Sequence, residues 1–151
     1  MEKLVVFTDG GCRDNPGPGA WAFVIKPEMG QIQEYSGFLP HTTNNAAEYR
    51  GLEAACLTLC RIAHITLCSV DIFSDSQLIV EQINGRWQVK DEGLRPFYAS
   101  AKLAYSALKA VCPVSLSWVR REFNAEADAL CGQVMDRRGI VCSRKGRSRG
   151  V

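Results

Sequence analysis

The chain has 151 residues, 46% of them hydrophobic and 23% charged. That length and apolar share suit one domain with its own core; no apolar run approaches the roughly 20 residues of a membrane span, and the N-terminus MEKLVVFTDGG lacks the longer apolar stretch and small-residue cleavage site of a secretory signal. Charge is uneven: from Arg137 onward there are six basic residues and no acid, so residues 1–136 hold 12 basic against 16 acidic groups, a net of −4, which fits either a nucleic-acid contact or a solubilising end.

In chain order, Leu4–Thr8 is a short apolar run that predicts a strand. Asn15-Pro16-Gly17-Pro18-Gly19 reads as turn or loop. Trp21–Ile25 predicts a second strand, Glu28-Met29-Gly30 a hairpin turn and Gln31–Phe38 a third strand, together an antiparallel meander. From Asn45 the period changes: Ala46, Tyr49, Leu52, Ala55/Cys56 and Leu59/Cys60 recur at helical spacing to about Ile62. Ser69–Phe73 is the next strand and Ser76–Ile83 a short helix. Gly85 and Gly93 bound a loop with Trp87. Leu94–Val111 is a helix with Pro96 in its first turn, Val114–Val119 an alternating strand and Asn124–Met135 a final helix. Residues 139–151 carry no pattern of regular structure. The order β-β-β-α-β-α-α-β-α, with a crossover helix between strands, predicts an α/β chain: a mixed five-stranded sheet flanked by helices. Seven cysteines without a C-x-x-C pair, and only His41 and His64 as histidines, argue against a zinc site and for reduced thiols in a cytoplasmic protein. No apolar patch signals a dimer, so a monomer is expected.

Four acids are placed to converge. Asp9 ends the first strand and Asp75 follows the fourth; if these strands are parallel neighbours, both carboxylates leave the same sheet edge, where open α/β sheets bind ligands. The helix bearing Glu48 begins nearby, and Asp128 flanks the apolar stripe of the last helix. Converging carboxylates repel unless cations neutralise them, and an all-oxygen set suits Mg²⁺ or Mn²⁺, two of which can clamp a phosphoryl transfer. Each acid also has a plain reading: Asp9 in an Asx turn, Glu48 closing a capping box from Asn45, Asp75 as a helix N-cap, Asp128 as a solvated helix residue.

The segments FTDGGCRDNPGPGAW, TTNNAAEYRGL, IFSDSQLIV and WVRREFNAEADAL, in that order over about residues 4–136, resemble the type 1 ribonuclease H family. The resemblance implies the ribonuclease H-like fold and metal-dependent endonucleolytic cleavage of the RNA strand of an RNA/DNA hybrid, leaving 5′-phosphate and 3′-hydroxyl ends. It implies a catalytic and metal-holding set of Asp9, Glu48, Asp75 and Asp128, with Asp9 shared by two ions. The hybrid itself would be met by Gly11, Cys12, Asn15, Thr43, Asn44, Asn45, Gln77 and Trp87. Side-chain amides and the Gly10-Gly11 backbone suit a ribose 2′-OH, which both donates and accepts. Trp87 reads equally as a sugar-stacking residue or a core aromatic.

The sequence departs from the best-known bacterial members in two places. The loop before Asp128 is Arg120–Glu126 (RREFNAE), without their histidine, and Glu122 is the one candidate substitute. Gly85–Gly93 is too short for their basic protrusion and has only Arg86 and Lys90 as bases; VKDEGLRPFY resembles a shorter subgroup from archaea and some bacteria. The expected division is a catalytic domain over 1–136 and a flexible basic tail over 137–151, whose Arg144, Lys145, Arg147 and Arg149 would partly replace the protrusion. A non-catalytic hybrid-binding module and a resolvase- or integrase-like nuclease are the competing readings. The complete acidic set opposes the first, and the TTNN and DSQ segments oppose the second.

Overall fold

A computed structural model describes residues 1–142. The elements are β1 (Glu2–Cys12), β2 (Gly17–Pro27), β3 (Gln33–Thr42), α1 (Asn44–Ile65), β4 (Cys68–Ser74), α2 (Gln77–Ile83), α3 (Arg95–Val111), β5 (Val114–Trp118), a 3-10 turn (Arg121–Asn124) and α4 (Ala125–Arg137). The sheet order is β3-β2-β1-β4-β5. β1 pairs antiparallel with β2 and parallel with β4, β2 antiparallel with β3, and β4 parallel with β5. This is the mixed five-stranded sheet that the pattern predicts.

Side-chain alternation assigns each face of the sheet. Leu4 and Val6 of β1 and Val70 and Ile72 of β4 point with Phe23 and Ile25 into the larger core, where α1 and α3 supply Leu52, Leu59, Tyr105 and Leu108. The opposite face is covered by α4. Small Ala20 and Ala22 let Cys131 and Met135 approach β2, with Leu130, Val134 and Ile140 packed around them. Beside α4, Phe7 stacks on Phe73 at 5.5 Å between ring centroids, and Lys26 lies over Phe7. All seven cysteines are free thiols, five of them buried; burial beside Cys68 raises the Cys112 thiol to about 11.

Two boundaries differ from expectation. β1 does not stop at Thr8 but runs to Cys12, paired only with β2 over its last four residues. The NPGPG stretch is not all turn: Gly17 pairs with Thr42 and Gly19 with Leu39, across an irregularity in the β2–β3 ladder. Pairing from a neighbouring strand overrides the local propensity of glycine and proline there. Past α4, Arg13 Nη1 donates to Ile140 O and Ile140 packs with the α4 cluster.

Candidate active site

The β1–β4 ladder ends at Thr8↔Ser74, so the next residue of β1, Asp9, and the first residue after β4, Asp75, emerge side by side at one end of the sheet. Asp9 is fully buried although it bears a carboxyl group, and Asp75 is half-buried. Ser76, not Asp75, caps α2: its hydroxyl accepts from Ile79 N at 3.3 Å. The N-cap reading of Asp75 is thereby excluded. Asp9 lies within a paired strand and is no turn residue.

Glu48 arrives from α1. Thr43 is the N-cap of that helix, its Oγ1 accepting from Ala46 N at 3.2 Å, so the capping box from Asn45 does not form. Glu48 is buried instead in the second turn. Two glycines bring it there. A Cβ on Gly10 would lie 2.2 Å from Ala47 O, and one on Gly51 would lie 2.5 Å from Asp9 O. β1 and α1 therefore touch backbone to backbone where Asp9 and Glu48 sit. This packing accounts for Gly10, which the sequence reading assigned to ribose contact. Next to Glu48, burial pushes the Tyr49 phenol well above its ordinary value, and its hydroxyl donates to Gln82 Oε1, joining α1 to α2.

One carboxylate oxygen from each of Asp9, Glu48 and Asp75 lies within 4.8 Å of the other two. Three carboxylates this close, two of them buried, repel unless a cation is shared. An all-oxygen set without His or Cys suits a hard divalent ion that keeps waters, as Mg²⁺ and Mn²⁺ do. The residues present therefore fit such an ion. Asp128, in the first turn of α4, is not one of this close group. It is half-buried and lines a notch of about 300 Å³ with Arg13, Gly132, Gln133 and Asp136. Arg13 bonds Asp136 at 2.8 Å, closing one end of that notch. A larger groove, about 480 Å³, runs among Leu4, Met29, Arg61 and Ile65 and holds none of the expected site residues.

Several expected contact residues form one unit. Cys12 N donates to Asn44 Oδ1 at 2.9 Å, Asn44 N donates to Asn15 Oδ1 at 3.1 Å, and the buried Cys12 thiol lies 3.5 Å from both amide oxygens. The loop after β1 is thus fixed to the start of α1. Asn45, Thr43 and Gln77 are exposed at the same end of the sheet, whereas Gly11 is buried and paired with Ala20. Trp87 is 45% exposed, which excludes the core-aromatic reading. Arg86 is held by Glu81 through bonds of 2.8 and 2.7 Å, so of the two bases in that loop only Lys90 makes no ion pair among the described residues. Glu122 is exposed in the 3-10 turn. Arg144, Lys145, Arg147 and Arg149 lie outside the described residues.

Sequence reasoning missed Asn124, Trp118, Arg13 and Gly51. All four act on partners far along the chain: Asn124 on Thr8, Trp118 on Asp75, Arg13 on Asp136, Gly51 on Asp9. The only local signal was an asparagine immediately before a helix, which reads as a cap.

The sheet order and the acid trio at the ends of β1 and β4 define a ribonuclease H-like α/β domain. The family model described as RNase H matches residues 1–135, and the chain belongs to that family. It is similar to the bifunctional protein Rv2228c of Mycobacterium tuberculosis, 35% identical over 136 residues, which is 89% of this chain and 36% of that protein. It is 38% identical over 87 residues to the ribonuclease H of Symbiobacterium thermophilum, covering 58% of this chain and 55% of that one. The chain thus spans between about a third and somewhat over half the length of these relatives. Among solved structures, the N-terminal RNase H domain of Rv2228c superposes with a TM-score of 0.80 at 33% identity, covering 92% of this chain and 97% of that one. LC11-RNase H1, solved in complex with an RNA/DNA hybrid, gives 0.79 at 34% identity, covering 91% and 99%.

Proposed function

We propose that this chain is an endoribonuclease that hydrolyses the RNA strand of RNA/DNA hybrids with divalent-metal help, leaving 5′-phosphate and 3′-hydroxyl ends. The observation that carries this reading is the acid trio Asp9, Glu48 and Asp75, the first two buried and the third half-buried, at the edge where the Cys12–Asn15–Asn44 unit also lies. Asp9, Glu48 and Asp75, with Asp128 from α4, would hold Mg²⁺ or Mn²⁺, two ions per site with substrate. Bound there, such ions lower the pKa of the attacking water and neutralise charge on the scissile phosphate. The chain's own part is to fix the carboxylates, to place the backbone of the RNA strand over them and to recognise it. Asn15, Asn44, Asn45 and Gln77 offer amides that donate to and accept from a 2′-OH. Thr43 and the exposed Trp87 would meet the second strand, as a phosphate and a sugar contact. A similar protein, LC11-RNase H1, was solved with such a hybrid, which supports the substrate class. The reading includes a monomer working in the cytoplasm, and a basic end past Cys142 that adds phosphate contacts.

The test is incubation with labelled RNA/DNA hybrid, dsRNA, dsDNA and single strands, each with Mg²⁺, Mn²⁺ or a chelator. Cleavage of the hybrid alone, abolished by the chelator, is expected. Cleavage that survives the chelator, or a hybrid left intact with both metals, overturns the proposal.

A further inference from the structure

The parallel ladder between β1 and β4 stops one residue short of each aspartate, at Thr8↔Ser74. Backbone carbonyls at a ladder's end need donors. Here three of them, those of Thr8, Ser74 and Asp75, are met by one short stretch of chain. Val119 N donates to Ser74 O at 2.9 Å, Trp118 Nε1 to Asp75 O at 3.2 Å, and Asn124 Nδ2 to Thr8 O at 2.8 Å. The segment joining β5 to α4 therefore grips both strands, on the residues that carry or precede Asp9 and Asp75.

Asn124 is the telling member. It immediately precedes α4, where an asparagine normally accepts from a helical N–H and contributes about 1 kcal/mol as a cap. It makes no capping bond. It is 1% exposed, its Nδ2 is given to Thr8, and its Oδ1 has no hydrogen-bond partner among the described residues. A buried amide that forgoes its cap and leaves an acceptor unmet is costly. The bond to Thr8 is what that cost secures. Trp118 is similar: its ring is about half exposed, and its indole N–H is directed at the carbonyl of Asp75.

We infer that Asn124 and Trp118 are positioning residues that hold the exits of β1 and β4 at a set separation, and so fix the spacing of Asp9 and Asp75 for cation binding. Asn124 does more, since it ties the first turn of α4, and with it Asp128, to the strand of Asp9. The inference rests on the reading of these carboxylates as the cation-holding set. It assigns to the two side chains an effect on metal affinity, while hybrid contact stays with the Cys12–Asn15–Asn44 unit on the other side of β1.

Trp118→Phe keeps the ring and removes the donor. Asn124→Leu keeps the branched shape and removes both polar atoms. Mg²⁺ is titrated calorimetrically into each protein without nucleic acid, and hybrid cleavage is followed against Mg²⁺ and against hybrid concentration. Loss of a bond that orients a metal ligand costs about tenfold or more in affinity. The expected result is Mg²⁺ dissociation and half-saturation constants raised by about that factor in Asn124→Leu and by less in Trp118→Phe. At saturating Mg²⁺ most of kcat returns and KM for the hybrid stays within twofold. A merely structural role would lower Tm and leave the Mg²⁺ constants where they were, which overturns the inference. Trp118→Phe alters an exposed side chain and carries the test if Asn124→Leu does not fold. If the unaltered protein neither binds Mg²⁺ nor cleaves hybrid, the reading of the site falls. If it does both and the variants bind Mg²⁺ equally well, only the positioning role falls.

Discussion

At the scale of single residues, the site depends on absent side chains as much as on charged ones. Gly10 has no room for a methyl group, since its Cβ would stand 2.2 Å from Ala47 O, and the neighbour is helix backbone that cannot swing aside. Gly10→Ala is expected to push α1 off β1, costing about 1–3 kcal/mol as overpacking does and displacing Glu48 from Asp9. Urea unfolding and hybrid cleavage should both register it, with activity falling more than tenfold. Gly132 is the contrasting case: a Cβ there meets nothing within 4 Å. Gly132→Ala should raise the stability of α4 by about 0.5–1 kcal/mol, the helix-propensity difference. Equal effects of the two substitutions would refute the packing account. Sequence spacing revealed Asp9, Glu48 and Asp75, because strand ends and helix starts place them. The need for Gly10 and Gly51 did not appear there, because it depends on how closely a helix lies against a strand. Asn124 was hidden for a related reason: its partner is a backbone carbonyl 116 positions away.

At the scale of elements, the segment between α2 and α3 shows how a stretch can carry cations and still form no basic protrusion. Arg86 is paired with Glu81, Lys102 Nζ donates to Ile83 O at 2.6 Å, and Arg95 Nε to Val89 O at 3.2 Å. These cations hold the segment together, and Lys90 is the base left to meet a phosphate. Lys90→Ala is therefore expected to flatten the dependence of hybrid affinity on salt by about one counterion, and Arg86→Ala to change it less; binding isotherms at three or four salt concentrations decide. Midway along β4, Asp71 accepts from the Ser115 hydroxyl at 2.8 Å and pairs with Lys3 at 3.2 Å, joining β4 to β5 and β1. The Ser115 hydroxyl, and then Lys3, hold its carboxyl below the ordinary value. A lowered carboxylate pKa stabilises above the unfolded value, about 4, and that contribution is lost as pH falls through the folded value. The pair is partly exposed, so the effect is below about 1 kcal/mol. Asp71→Asn should lower Tm slightly at pH 7, and the difference should shrink as pH falls through the folded value. The order of elements was legible from periodicity. Their ends were not legible where a partner strand decides them: Gly17–Gly19 are extended because β3 lies alongside, and α1 starts at Thr43 because that hydroxyl reaches Ala46.

At the scale of the whole molecule, a large core on one face of the sheet and α4 on the other hold Asp9, Glu48 and Asp75 within 4.8 Å of one another. Folding does work against their repulsion, and the rest of the fold bears that cost. Asp9→Asn removes one charge from the trio at constant volume. In a chelator its Tm should rise above that of the unaltered protein by a few degrees, about 1 kcal/mol in a domain of this size. Millimolar Mg²⁺ should reverse the order. A ligand that binds only the folded state stabilises it in proportion to the logarithm of its saturation, so the unaltered protein gains and Asp9→Asn, with its site depleted, gains little. Thermal scans with and without Mg²⁺, alongside hybrid cleavage, measure all three quantities. A destabilised Asp9→Asn in chelator would show that the carboxylate serves the fold through its own bonds, and that electrostatic strain at this site is small. A variant stabilised in chelator, indifferent to Mg²⁺ and inactive would show that the acid is retained for cation binding at the expense of stability.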